Sequence, residues 1–311
     1  MTETIATKST FKTQVTKWFE GLQAHICNEL EKADGKQTFL KDDWKREAGG
    51  GGRTCILQEG AVIEKGGVAF SAVFGKTPDK ILRALHLPES DFYATGVSIV
   101  IHPNSPMIPI IHMNVRYFEM SNGTAWFGGG IDLTPHYVDK DDAVYFHQAL
   151  KNVCDKFNPS YYPEFKKWAD DYFYIKHRRE TRGIGGIFFD RLSETKLSDT
   201  GTISMEERFE FVKEIGLLFP KIYTYFMNKN KNIPFGAQEK EWQTLRRGRY
   251  VEFNLIYDKG TKFGLDTDGR TESILMSMPP QANWKYNFTP SPDSKEAQTL
   301  ALLKKNINWL T

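Results

Sequence analysis

A chain of 311 residues with 40% hydrophobic and 14% aromatic content is long enough to enclose a substantial core, so a folded globular protein is expected. Forty-one basic residues against 39 acidic leave a net charge of +2, which excludes the global field that drives nucleic-acid or membrane-surface binding, and any cationic site must be local. No run approaches the roughly 20 apolar residues of a membrane span, and Cys27, Cys55 and Cys154 form neither a CxxC pair nor an even disulfide set, so buried thiols in a reducing compartment are expected.

In chain order, Phe11, Val15, Trp18, Phe19, Leu22, Ile26 and Leu30 recur at helical spacing. Residues 10 to 32 therefore read as an amphipathic helix, within an N-terminal segment 1–35 that packs on the body of the protein. After the glycine run Gly49 to Gly52, seven β-rich segments follow, at 53–58, 67–74, 95–102, 110–119, 124–133, 184–190 and 250–257. Turn-length connections such as His102-Pro-Asn-Ser-Pro and Ser121-Asn-Gly favour antiparallel hairpins. Longer helical stretches lie at 139–155, 161–180, 204–228 and 295–305. The expected fold class is α+β, with one large antiparallel sheet of about seven strands flanked by helices on both faces, in a single domain spanning 1–311.

The period of two places Ser98 and His102 on one side of the 95–102 strand, opposite Val97, Ile99 and Ile101. It likewise places His112, Asn114 and Arg116 opposite Ile111, Met113, Val115 and Tyr117. A solvated strand face would explain such alternation. His, Asn and Arg at successive positions, however, offer fixed donors suited to a carboxylate-bearing ligand. In Trp126 to Pro135, three glycines precede the single carboxylate Asp132. They would let a flat ligand or another backbone approach closely, although a turn or bulge capped by Asp132 also fits.

Neither glycine run ends in the GK[ST] of a phosphate loop, and no GxGxxG follows a strand, so no nucleotide cofactor is expected. In Lys176 to Asp190, Arg178 and Arg179 have an ordinary explanation as cations complementing a helix C-terminus. Arg182, directly before Gly183 at the entry to an apolar strand, is suited to a bidentate carboxylate contact. His102, His112, His147 and His177 fall in one stretch of the chain without HxH or HExxH spacing, which favours satisfied or substrate-binding histidines and leaves metal ligation open.

Several of these runs together resemble the oxygen-dependent coproporphyrinogen III oxidases. They are Trp44 to Arg53, Ser98 to His102, His112 to Arg116, Trp126 to Pro135, Lys176 to Asp190, Arg247-Gly-Arg-Tyr-Val-Glu-Phe-Asn254, Arg270 to Pro280 and the run from Trp284. The resemblance implies conversion of coproporphyrinogen III to protoporphyrinogen IX in haem biosynthesis. Two propionates would become vinyl groups with dioxygen as co-substrate and release of carbon dioxide and hydrogen peroxide. It further implies a homodimer joined through about 250–285, His112 as proton donor, and a substrate site lined by Ser98, Asn114, Val115, Arg116, Gly269 and Arg270. Asp132 and Arg182 match positions important for activity, and His102, His112, His147 and His177 match proposed metal ligands. Asp268 before Gly269 and Arg270 departs from the family's usual turn, and its carboxylate would repel propionates.

On this reading Arg116 and Arg182 hold propionates, Asp132 accepts pyrrole N–H bonds and His112 transfers a proton. No flavin, haem or nicotinamide is expected, whereas a divalent metal is left open. The alternatives are a metal-dependent oxidase built on the four histidines and a tetrapyrrole-binding protein without turnover. The opening residues lack an Arg-rich, acidic-poor leader, which reads as cytoplasmic.

Overall fold

The computed structural model describes residues 2–77, 89–197, 201–266 and 269–311. Its centre is a seven-stranded antiparallel sheet. The strands are β1 (Leu40–Lys45), β2 (Gly50–Gln58), β3 (Ile63–Lys76), β4 (Asp91–Pro103), β5 (Ile110–Met120), β6 (Ala125–Thr134) and, at the far edge, β9 (Gly186–Leu192). Six consecutive strands form a meander. The chain then leaves through α2 (Lys140–Phe157), α3 (Tyr161–Tyr172) and a two-residue hairpin, β7 (Tyr174–Ile175) with β8 (Glu180–Thr181), before returning as β9.

The alternation seen in the sequence sorts the two faces. Val97, Ile99, Ile111, Met113, Val115 and Ile131 point into one core. There they meet Phe19, Leu22 and Ile26 of α1 (Thr2–Asp34), and Phe209, Val212 and Phe219 of α4 (Met205–Asn230), which follows the small hairpin β10 (Thr195–Leu197) and β11 (Gly201–Ile203). Gln23 of α1 fixes the helix on the sheet by donating to the carbonyls of Arg53 and Val68, each at 2.8 Å. At the end of α1, buried Asp34 accepts the backbone N–H groups of Ala61, Val62 and Ile63 and so pins the turn into β3.

The opposite face is covered by α5 (Ala237–Ile256), α6 (Lys259–Asp266) and α7 (Thr271–Leu275). Gln243 and Arg247 of α5 donate to the Pro103 carbonyl, and Tyr250 packs on Val100 and Ile110. The chain closes with α8 (Lys295–Leu302).

The sheet has the expected number of strands but not the expected set. Residues 250–257 are not a strand: they complete α5, and β1 takes the seventh place. In α5 the buried positions Trp242, Leu245, Tyr250 and Phe253 share their face with buried Arg246 and Arg247. Those arginines interrupt the apolar stripe that marks a helix and leave an isolated run that looks β-like. Conversely, β1 is an exposed, charged edge strand, Leu-Lys-Asp-Asp-Trp-Lys, with no apolar alternation to announce it. It pairs with the glycine run itself: a Cβ on Gly51 would lie 2.4 Å from the Trp44 carbonyl, and one on Gly52 2.2 Å from that of Phe70. The helix expected over 161–180 ends at Tyr172, and Lys176 to Arg179 turn the β7–β8 hairpin. Arg178 and Arg179 therefore do not answer a helix dipole. Arg178 instead grips Glu252 through Nε at 2.8 Å and Nη2 at 2.7 Å.

Candidate active site

Between the polar sheet face and α5 to α7 lies a cleft of about 1040 Å³, roomy for a metabolite-sized ligand. The register builds its floor. Ser98 pairs with Asn114, Val100 with His112 and Gly96 with Arg116 across β4 and β5. His112 in turn pairs with Asp132, Asn114 with Gly130 and Arg116 with Gly128 across β5 and β6. Alternate side chains of β5, two residues apart, thus stand in a row beside the glycines of β6, which keep that part of the floor flat.

At one end of the row, Arg182 Nη2 donates to both carboxylate oxygens of Asp132 at 2.7 Å, and His112 Nδ1 lies 2.8 Å from Asp132 Oδ1. Arg182 Nη1 donates to Asn254 Oδ1 at 2.8 Å, and the guanidinium sits 4.4 to 4.7 Å from the ring centres of Phe173, Tyr250 and Phe253. Burial pushes the Asp132 carboxyl up, but the Arg182 charge and then the His112 bond outweigh it and hold the group below the usual carboxylate range. Burial likewise works against the Arg182 charge, and Asp132 more than restores it. An ionised Asp132 can only accept, so His112 carries its proton on Nδ1 and Nε2 is the nitrogen left for a ligand. His112 also has the access: its side chain is 16% exposed against 2% for Asp132.

The other expected residues divide cleanly. Ser98, Asn114, Arg116, Gly269 and Arg270 line the cleft. Arg116 is 45% exposed and ion-pairs at 3.0 Å with Asp190 of β9, while Arg270 pairs with Asp42 of β1. Val115 projects into the opposite core, so only its backbone reaches the cleft. Asp268 lies outside the described residues. Arg182 is committed to Asp132 and Asn254 rather than held ready for a propionate. Two residues of the cleft wall, Tyr250 and Asn254, escaped sequence reasoning because their segment read as a strand.

The four histidines do not form one ligand set. His112 faces Asp132 in the cleft. His102 is buried with Nε2 on the Ser277 carbonyl at 2.8 Å. His147 sits in α2, whose Phe146 and Leu150 belong to the core on the other side of the sheet; both its nitrogens are used, by the Ile184 carbonyl and the Tyr162 hydroxyl. Both nitrogens of His177 are engaged by Tyr257 and Glu252. Among the described residues no group of three or more His, Cys, Asp or Glu stands in ligand geometry. These side chains therefore do not fit a shared metal.

The sequence pattern of the family described as coproporphyrinogen III oxidase matches residues 14–309. The chain belongs to the oxygen-dependent coproporphyrinogen III oxidase family. It is 48% identical over 303 residues to the oxygen-dependent coproporphyrinogen-III oxidase of Drosophila melanogaster, covering 93% of this chain and 76% of that protein. It is also 48% identical over 302 residues to the mitochondrial enzyme of the same name from Homo sapiens, covering 93% of this chain and 65% of that protein. The chain is thus a member of an oxidoreductase family of haem biosynthesis. Among its described residues no helix is long and apolar enough to cross a membrane.

Proposed function

We propose that this chain oxidatively decarboxylates two propionates of coproporphyrinogen III to vinyl groups, giving protoporphyrinogen IX. The observation that carries the reading is the His112–Asp132–Arg182 cluster at the end of a cleft whose lining includes Ser98, Asn114 and Arg116. For each propionate, the ring-side carbon gives up two electrons with a proton as a hydride equivalent. The bond to the carboxylate breaks to release carbon dioxide, and dioxygen takes the hydride equivalent and one further proton to leave as hydrogen peroxide. The reduced macrocycle is electron-rich and serves as its own reductant, so the scheme calls on no flavin, haem or nicotinamide, and no step is routed through a metal.

Within this scheme Arg116 on the cleft floor and Arg270 on its wall take propionates; each charge-assisted contact contributes about 1.5 to 3 kcal/mol where water is excluded. His112 Nε2 is the proton-handling atom, and Asp132, held ionised by Arg182, fixes its tautomer. Dimerisation through about 250–285 is part of the same proposal. It is supported by the exposed apolar side chains of Leu255, Ile256, Leu265 and Trp284 in that segment. A cytoplasmic site of action is likewise proposed.

The test is incubation of the purified protein with coproporphyrinogen III in air and under argon, with and without a chelator, following oxygen uptake and vinyl product. One dioxygen consumed per vinyl group formed, undiminished by the chelator, is the expected result. Absence of vinyl product in air sinks the proposal, and binding without turnover would identify a carrier.

A further inference from the structure

Asn254 is 4% exposed, lies on the buried side of α5 one helical turn after Tyr250, and forms part of the cleft wall. Its carboxamide is oriented by its neighbour. A guanidinium can only donate, so the atom 2.8 Å from Arg182 Nη1 is the oxygen, and the NH2 must point the other way. With the oxygen taken, the end that Asn254 offers the cleft is a pair of N–H donors. The buried Tyr250 hydroxyl interacts with the carboxamide but makes no well-formed hydrogen bond, so it does not use up both N–H donors. A fixed amide donor next to a fully compensated ion pair adds no charge to the cleft. It therefore suits an anionic acceptor that arrives with the ligand.

Resting on the function proposed above, we propose that Asn254 is a substrate-contacting residue whose oxygen holds the Arg182 guanidinium and whose NH2 donates to a carboxylate oxygen of the bound macrocycle. Arg182 would then act on the substrate's carboxylate at one remove, by aiming the Asn254 donor, while its own charge stays matched to Asp132. This contact selects for acid side chains at that end of the cleft and sets binding rather than the chemical step.

Asn254→Asp separates the two ends of the side chain, because it keeps an oxygen for Arg182 and replaces the donor with a second acceptor. With the wild-type protein turning over coproporphyrinogen III, the variant is expected to raise KM at least about tenfold, the loss of one charge-assisted bond, with kcat within about threefold. KM and kcat both within about twofold of wild type would overturn the proposal, since a purely structural oxygen contact survives this change. Should the aspartate variant not fold, Asn254→Ala decides: a tenfold rise in KM at near-constant kcat supports the contact, and a fall in kcat at constant KM overturns it. If the wild-type protein itself forms no vinyl product, it is the proposed function that fails.

Discussion

Arg182 and Asp132, 50 positions apart in the chain, meet through one nitrogen and both carboxylate oxygens at 2.7 Å, with each side chain only 2% exposed. A pair this deep is matched charge against charge, and removing one member strands the other in low dielectric. Arg182→Ala should therefore lower stability by about 3 to 5 kcal/mol as well as abolish activity. Arg182→Lys should rescue little, because an ammonium lacks the fork that reaches Asp132 and Asn254 together. Urea midpoints of the two variants check this, and an Arg182→Ala protein as stable as wild type would show that the pair is not the anchor it is taken for.

His112 is expected to separate stability from catalysis. Asp132 keeps its Arg182 partner when the imidazole is removed, so His112→Ala should cost about 1 kcal/mol or less in stability while reducing kcat by about 10²- to 10⁴-fold. Thermal melts alongside turnover measure both. A kcat within tenfold of wild type would remove His112 from proton transfer.

Acid sensitivity should arise mainly from buried histidines outside the His112–Asp132–Arg182 cluster. Burial depresses His102 and His136 well below their ordinary value and takes His147 down to about 3. Each is depressed in the folded state, so the unfolded chain takes up its protons first as pH falls. The stability they contribute is complete above about pH 6.5 and is lost on acidification below it. All three predict a loss of stability between pH 7.5 and 5.5, and His147, with its value near 3, contributes about 1.4 kcal/mol of it. Urea unfolding at the two pH values tests this, and His147→Gln should reduce the difference by about that amount.

Arg116 crosses β6 at Gly128 to reach Asp190, and a Cβ on that glycine would lie 2.4 Å from Asp190 Oδ1 and 2.9 Å from Arg116 Nε. Because the pair is partly exposed, Arg116→Ala should change stability by less than about 1 kcal/mol. It should nevertheless raise KM for coproporphyrinogen III at least about tenfold. Gly128→Ala, which forces the two side chains apart, should also shift KM. Unchanged KM in the Arg116 variant would assign propionate binding elsewhere.

Much of the cleft floor was legible along the chain because strand alternation is local. Once Ile111 to Tyr117 is a strand, His112, Asn114 and Arg116 must share a face, whatever surrounds them. The same locality misled at 250–257. A short run of Tyr, Val, Phe and Leu suits either state, and the decision rests on Arg246 and Arg247 being buried by Glu180 and Glu64, partners far away in sequence. The motifs that carry the family resemblance were likewise visible in order from Trp44 to Trp284.

By itself, then, the amino-acid order determined which side chains lie on the polar face of β4 and β5, the α1 stripe that packs on the sheet, and membership of the family. Those follow from backbone periodicity and from the identity of residues at matched positions. Tertiary structure alone decided that Arg182 answers Asp132 instead of a ligand, that Val115 turns away, that Asn254 joins the wall, and that His147 and His177 stand apart from His112. Each of these depends on distance and burial between segments tens of residues apart, and charge pairing in a low-dielectric interior is governed by those quantities and not by sequence spacing.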